Sequence, residues 1–285
     1  MGPTARYLEA GTLTVEGANG ISYAYRRLGP AGDRPLVLLQ HFRGNLENWD
    51  PILIDALSSS RDVIVFDNTG VGATTGATPT TFAQMADDAI VFLEALGLDQ
   101  VDLLGFSIGS FIAQEIALTR TALAGKVVLA STAPQGAPGM HGWAPDVIGA
   151  VGTPNTSPEA YLGVFFSPSA DSRQAGQHAL QRMYARTEDR DKATTWATRE
   201  AQYDAVCTWG IPDHALLQRL SAISMPVFVA NGDSDPMILP RFSYLLAGLI
   251  PHAEVKIYPD SAHGFLFQHH AEFTADIEEF LSDAR

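Results

Sequence analysis

The sequence predicts an α/β protein with a mostly parallel, doubly wound sheet. Short continuous apolar runs, typical of strands buried on both faces, alternate along the chain with stretches whose apolar residues recur at helical spacing. Polar, Gly-rich loops follow several of these runs, as they do at the carboxyl edge of an open parallel sheet. The 285 residues are enough for one large core, and a single domain with an insertion fits this length as well as two domains do.

The predicted elements follow one another in a regular order. A hairpin is predicted over residues 11–28, because loosely alternating apolar residues flank the turn-forming pair Asn19-Gly20. Buried strands are predicted over residues 36–39, 63–66, 101–104, 126–130, 226–230 and 253–258. Helices are predicted over about residues 49–57, 81–96, 240–249 and 271–281, with another directly after Ser107. This alternation predicts a parallel sheet with helices on its faces.

The most informative stretch is Gly105-Phe106-Ser107-Ile108-Gly109. It follows a buried strand and leads at once into a helical pattern, the context in which Gly-x-Ser-x-Gly forms a nucleophile elbow. The sharp turn strains the backbone at Ser107, and the two glycines remove Cβ atoms that would clash with the helix and the neighbouring strand. Ser107 is therefore predicted to be a nucleophile at the carboxyl edge of the sheet.

A serine hydroxyl is a weak nucleophile at neutral pH, so it needs a base, and a third group must orient that base. His263 and Asp235 each lie in a loop directly after a predicted strand and are the predicted base and acid. Asp233 in the same turn is the alternative acid, although aspartates in turns commonly bind their own backbone. The chain order serine, aspartate, histidine is that of the elbow enzymes.

An acyl-transfer intermediate also needs two N–H donors for its oxyanion. The amide of Ile108, directly after the nucleophile, is one predicted donor, and the loop after the first buried strand makes Phe42 the other. His41 lies in that same loop. We expect its side chain either to form a structural hydrogen bond or to contact substrate.

The middle of the chain differs in character, because residues 135–215 read as helical or irregular segments. We therefore predict a helical cap inserted between two parts of an α/β core, residues 1–134 and 216–285. The aromatic side chains of this insertion either form the core of a small subdomain or line a cavity over the sheet. The residues predicted to line a substrate pocket are His41, Trp143, Phe165 and Trp209.

From about residue 21 onward, the sequence resembles the α/β-hydrolases with a helical cap, of the esterase, lactonase and cofactor-free haloperoxidase type. The matching segments are residues 38–44, 66–72, 105–109, 231–235 and 263–265. The resemblance implies an α/β-hydrolase fold and a serine triad. Two departures concern the acyl pocket: relatives usually have His-Gly where this chain has Gln40-His41, and many have arginine at the position of Thr69.

Composition argues against several partners. A net charge of −14 repels phosphate backbones and anionic membranes, so we expect a small, neutral or weakly charged organic substrate, with no nucleic-acid or membrane partner. Residues 1–7 lack the pattern of a secretion signal, so a cytoplasmic location is expected. An apolar cap surface could support a homodimer.

No cofactor and no metal site are predicted. Every catalytic role is filled by side chains and backbone, and the single cysteine, Cys207, excludes a zinc-thiolate cluster. The adjacent pair His269-His270 has no third ligand nearby in the sequence.

The predicted activity is hydrolysis of a small, fairly apolar carboxylic ester or lactone through an acyl-enzyme intermediate. Two alternatives stay open. The same triad could serve perhydrolysis of a carboxylic acid or cleavage of a carbon–carbon or cyanohydrin bond. A non-catalytic member of the fold could instead bind a ligand under its cap.

Overall fold

The computed structural model describes residues 6–154 and 156–283, and eight strands of this part form one sheet. The strands are β1 (Leu13–Glu16), β2 (Ser22–Leu28), β3 (Leu36–Leu39), β4 (Val63–Phe66), β5 (Val101–Phe106), β6 (Ala124–Ala130), β7 (Val227–Gly232) and β8 (Ala253–Tyr258). Their order is β1-β2-β4-β3-β5-β6-β7-β8. β2 pairs antiparallel with β1 and β4, and every other pair is parallel. The predicted mostly parallel sheet is confirmed. Residues 1–5, part of the segment examined for a secretion signal, lie outside the described residues.

Helices cover both faces of this sheet. They are α1 (Pro51–Leu57), α2 (Phe82–Ala95), α3 (Ile108–Thr119), α4 (Pro145–Val151), α5 (Pro158–Phe165), α6 (Ala170–Met183), α7 (Trp196–Trp209), α8 (His214–Arg219), α9 (Arg241–Leu249), α10 (Phe265–Gln268) and α11 (His270–Ser282). The predicted helix boundaries agree to within two residues. The helix expected from about residue 49 begins at Pro51, because the Asp50 side chain accepts a hydrogen bond from Ile52 N and so caps the helix.

The central strands form the core. Each residue of β3, β4 and β5 is buried, as predicted from their continuous apolar runs. α3 packs against β3, β5 and β6, so the helix that follows the elbow sits directly on the middle of the sheet. Burying one large aliphatic or aromatic side chain stabilises a fold by roughly 1.5–3 kcal/mol, so this layer fixes the strand ends from which the site is built.

Between β6 and β7 the described residues form helices α4 to α8 and no strand. Long side chains tie these helices to the rest of the molecule. Arg182 of α6 makes two hydrogen bonds, of 2.8 and 2.6 Å, to the buried carboxylate of Asp50. Arg186 donates to the carbonyls of Leu8 and Ala10, each at 2.9 Å. These contacts hold the segment between β6 and β7 against the start of α1 and against the residues before β1.

No helix in the described ranges is both long enough and apolar enough to cross a lipid bilayer.

Candidate active site

The elbow forms as the sequence predicts. β5 ends at Phe106 and α3 begins at Ile108, so Ser107 alone makes the turn, with φ 56° and ψ −122°. A Cβ on Gly105 would lie 2.4 Å from Gly109 O, and one on Gly109 would lie 2.1 Å from Leu39 O. The elbow helix and the neighbouring strand therefore approach each other only because both positions are glycine.

A buried acid–base pair lies at the ends of β7 and β8. His263 Nδ1–H donates to Asp235 Oδ2 at 2.8 Å, and both side chains are fully buried. Asp235 Oδ1 accepts hydrogen bonds from the amides of Met237 and Ile238, at 2.8 and 3.0 Å. These three donors fix the carboxylate, which in turn holds the imidazole with Nε2 as its free proton acceptor.

Asp233, the alternative acid, is used differently. It is exposed, and its Oδ2 accepts a hydrogen bond from the amide of Asp260 at 2.9 Å. Its Oδ1 accepts from the hydroxyl of Ser234 at 2.7 Å. The structure therefore pairs Asp235, and not Asp233, with the histidine.

Ser107 Oγ and His263 Nε2 are both buried, and neither has a hydrogen-bond partner among the described residues. The expected hydrogen bond between nucleophile and base is thus not formed in this structure. The ring of Phe106, the residue before Ser107, lies 5.2 Å from the His263 ring, centroid to centroid, so the end of β5 and His263 are neighbours. Hydrogen bonds of this kind are often long or misaligned until a substrate is bound.

The two predicted oxyanion donors flank the elbow. Ile108 is fully buried and Phe42 nearly so, and neither amide donates a hydrogen bond to another residue in the described ranges. Gln40 holds the Phe42 loop: its Oε1 accepts from His41 N at 2.9 Å, and its Nε2 donates to Asn45 O at 3.2 Å. Gln40 therefore anchors this loop.

His41 is buried beside the pair. Its Nδ1–H donates to the Phe42 carbonyl at 2.9 Å, and its ring meets Phe106 and Phe165 edge-on at 5.2 and 5.4 Å. Burial lowers the pKa of His41 to about 3, with a smaller contribution in the same direction from nearby His263. His41 is therefore a neutral side chain at physiological pH.

We call His41, Phe42, Ser107, Asp235 and His263, which lie at or after the ends of strands, the catalytic floor. A cavity of about 550 Å³ lies between this floor and the helices of the segment between β6 and β7. Its lining includes the predicted residues His41, Phe42, Phe165 and His263. Apolar side chains from the helices add Val151, Tyr161, Leu180 and Met183. A polar end is formed by Arg43, Asn45, Glu47, Arg190 and Asp191. The volume is that of a small-molecule site with a mixed lining.

Phe165 joins the helices to the catalytic floor. Its carbonyl accepts a hydrogen bond from Gly264 N at 2.7 Å, directly beside the candidate base. Its ring meets the His263 ring edge-on at 5.1 Å and stacks on Tyr161 at 3.9 Å. The prediction that Phe165 lies over the site agrees with this geometry.

The two predicted tryptophans do not line this cavity, and the structure corrects that expectation. Trp209 stacks on Phe111 of α3 at 4.9 Å, meets Phe82 of α2 edge-on at 5.4 Å, and its indole N–H donates to Ala133 O at 3.2 Å, so it is core among α7, α2 and α3. Trp143 lies behind the oxyanion loop, edge-on to Phe42 at 4.9 Å. Sequence pattern does not distinguish an aromatic that lines a cavity from one that packs below it.

Sequence reasoning missed two groups of site residues. Ser131 Oγ donates to the His263 carbonyl at 3.0 Å, and Asn231 Nδ2 donates to Ile238 O at 2.9 Å, so both brace the loops of the acid–base pair. Arg43 and Tyr161 line the cavity. Asn231 belongs to the segment 231–235 that matches the α/β-hydrolases, whereas a serine after a strand and an arginine in a loop carry no distinctive sequence signal.

A carboxyl pair lies beside the cavity. Asp67 is fully buried at the end of β4, and Asp191 lines the cavity. Burial and the neighbouring Asp191 raise the pKa of Asp67 well above its usual range. Within the described residues, no group of three or more His, Cys, Asp or Glu side chains is placed to hold a metal ion.

Comparison with known proteins agrees with this architecture. Residues 34–270 match the family described as alpha/beta hydrolase fold. An alpha/beta hydrolase fold protein from Chitinophaga pinensis is 39% identical, with a TM-score of 0.92 over 98% of this chain and 100% of its own. The putative non-heme bromoperoxidase BpoC of Mycobacterium tuberculosis (strain ATCC 25618 / H37Rv) is 28% identical over 92% of this chain and 98% of its own.

A third similar structure is Est816, described as an N-acyl homoserine lactone degrading enzyme. It is 25% identical, with a TM-score of 0.74 over 94% of this chain and 100% of its own. The family match covers most of the chain and includes the elbow and the acid–base pair. The chain belongs to the α/β-hydrolase fold family.

Proposed function

We propose that this protein is a serine hydrolase that cleaves a small, fairly apolar carboxylic ester or lactone through an acyl-enzyme intermediate. The observation that carries the proposal is the buried pair of His263 and Asp235 beside a strained serine at the elbow. A carboxylate fixed by two backbone amides and paired with an imidazole is the arrangement that makes a serine hydroxyl reactive.

In the proposed mechanism, His263 Nε2 takes the proton of Ser107 as the hydroxyl attacks the substrate carbonyl. Asp235 stabilises the imidazolium that forms and keeps its ring orientation. The amides of Phe42 and Ile108 donate to the oxyanion. His263 then returns the proton to the leaving alcohol, and a water molecule, activated by the same base, hydrolyses the acyl-enzyme.

We further propose that residues 135–215 act as a cap over an α/β core made of residues 1–134 and 216–285. The cavity supports this division, because its apolar side chains come largely from the helices, whereas His41, Phe42 and His263 reach it from loops that follow strands of the core. The cap would then select the substrate while the core carries out the chemistry.

Perhydrolysis is the second candidate, favoured by the likeness to the bromoperoxidase over nearly the whole length of both chains. In that reaction hydrogen peroxide, and not water, would attack the acyl-enzyme and release a peracid. Both candidates need the same nucleophile, so they differ only in which acceptor takes the acyl group.

The test is turnover of p-nitrophenyl acetate and p-nitrophenyl butyrate, of a γ-lactone, and of acetate with hydrogen peroxide. We expect a burst of p-nitrophenol from the wild-type protein. Ser107→Ala should lower kcat by several powers of ten, because only binding and oxyanion contributions remain.

Ser221→Ala is the matched control, since this serine is exposed on the surface and should leave turnover unchanged. Full activity in Ser107→Ala would refute the proposal. Faster peracid formation than ester hydrolysis would favour the second candidate.

A further inference from the structure

We propose that His41 determines acyl specificity by accepting a hydrogen bond from the substrate, so that the preferred substrates carry an O–H or N–H group one or two atoms from the carboxyl carbon. This inference rests on the proposed function and names the substrate class for the same site. It assigns to His41 a role that hydrolysis itself does not require.

The first step is the orientation of the imidazole. The partner of His41 Nδ1 is the carbonyl oxygen of Phe42, at 2.9 Å. A carbonyl can only accept, so Nδ1 carries the proton and Nε2 of the neutral ring presents a lone pair. His41 therefore offers the site an acceptor and no donor.

The second step is that this acceptor is unused. His41 Nε2 is buried and has no hydrogen-bond partner among the described residues, although the side chain lines the cavity. A buried polar atom without a partner costs free energy, and in native proteins such atoms commonly mark a functional role. Burial also keeps the pKa of His41 near 3, so the lone pair stays available throughout the neutral range.

The third step is position. His41 immediately precedes Phe42, the proposed oxyanion donor. The rings of His41 and His263 both contact the Phe165 ring edge-on. A carbonyl held by the Phe42 amide therefore has its α and β substituents near His41. The neighbouring rings of Phe106 and Phe165 are apolar, and His263 Nε2 is needed for the proton of Ser107, so His41 Nε2 is the acceptor left for a donor at this place.

A site built to bind a donor discriminates strongly against the analogue that lacks it, because its own polar group is then left unpaired. A methyl ether at the same position keeps the polar oxygen and adds one methyl group, but it cannot donate. The prediction is therefore specific to the donor, and it separates recognition by His41 from a general preference for polar or larger acyl chains.

The experiment compares kcat/KM for p-nitrophenyl butyrate with its 2-hydroxy, 3-hydroxy and 3-methoxy derivatives. We expect the wild-type protein to prefer at least one hydroxy ester over butyrate by about tenfold or more, and to show no such preference for the methoxy ester. The ratio of hydroxy to parent ester should fall to near one in His41→Phe. It should recover partly in His41→Gln, whose side-chain oxygen is again an acceptor.

Labelling by a fluorophosphonate and a thermal unfolding curve accompany each variant. A wild-type protein that is labelled and hydrolyses all four esters without preference overturns the inference and leaves the proposed function standing. Equal loss on all four esters in a folded, labelled His41→Phe also overturns it, because that result assigns His41 to positioning the hydrolytic water. A wild-type protein with no labelling and no turnover would overturn both the inference and the proposed function. If His41→Phe does not fold, the comparison of the four esters on the wild-type protein is a sufficient test of the inference.

Discussion

The catalytic floor and the helices above it are held by different kinds of contact. On the floor, backbone amides within three residues fix Asp235, and one carbonyl fixes the His41 ring. Above it, long side chains span the gap: Arg43 donates to the carbonyls of Thr153 and Pro154, and Arg182 reaches Asp50. Hydrogen bonds between residues close in the sequence therefore orient the catalytic side chains. Contacts between residues far apart in the sequence position the helices that line the cavity.

The largest expected effect tests the floor. Asp235→Asn should lower kcat by about 10⁴, the size of loss found when a triad carboxylate is replaced elsewhere, because the imidazole loses its orienting acceptor. Asp233→Asn, two residues away, should change kcat by no more than a few-fold, since its exposed oxygens accept from the Ser234 hydroxyl and from the Asp260 and Ser261 amides, and not from the imidazole of the base. Steady-state kinetics on p-nitrophenyl butyrate measures both. Equal losses in the two variants would show that the floor is not organised around Asp235.

The next effect also concerns the floor. Gly109→Ala places a Cβ 2.1 Å from the backbone oxygen of Leu39, which cannot move without disturbing β3. We expect the free energy of unfolding to fall by about 1–3 kcal/mol or more, as overpacked cores do. Urea denaturation followed by circular dichroism measures this change, and an unchanged midpoint would contradict the close approach of helix and strand.

A pH-dependent effect tests the contact between the two regions, where Asp67 of the core meets Asp191 of the segment between α6 and α7. Because the pKa of Asp67 is raised in the folded protein, folding favours the protonated carboxyl. Its contribution to stability is therefore present at low pH and is lost as pH rises from the ordinary aspartate range, near 4, toward the raised value.

Asp67→Asn cannot ionise, so the free energy of unfolding of the variant should gain on that of the wild type as pH rises through this window. Urea denaturation at a series of pH values from 4 to 8 provides the measurement. Parallel stability profiles for the two proteins would contradict the raised pKa.

The smallest expected effect lies in the helices above the floor. Gly163 is an exposed position within α5, and a Cβ added there meets nothing within 4 Å. Gly163→Ala should raise the free energy of unfolding by about 0.5–1 kcal/mol, since alanine loses less backbone entropy in a helix. Destabilisation comparable to that of Gly109→Ala would erase the contrast between the two regions.

The same contrast explains how much the sequence predicts. Ser107, Asp235 and His263 could be found because acyl transfer needs those residue types at the ends of specific strands. The sheet followed from apolar runs, and the glycines of the elbow followed from the steric demands of its turn. Phe165 was found among the aromatics of the helical segment, and the structure places it in the cavity lining.

The rest could not be predicted, for a physical reason. Burial stabilises an aromatic side chain by a similar amount whether it packs on Phe111 or lines a cavity. The sequence pattern around Trp209 therefore does not predict which of the two positions it takes. Arg43 lines the cavity through carbonyl partners that lie more than a hundred residues away in the chain. Such contacts depend on the path of the helices, which hydrophobic periodicity does not fix.

The most direct measurement is the intact mass of the protein after reaction with a fluorophosphonate, with peptide mapping of the modified residue. The account predicts one adduct per chain, located at Ser107, with labelling abolished in Ser107→Ala and strongly slowed in Asp235→Asn. An unlabelled wild-type protein, or an adduct carried equally well by Ser107→Ala, would contradict it.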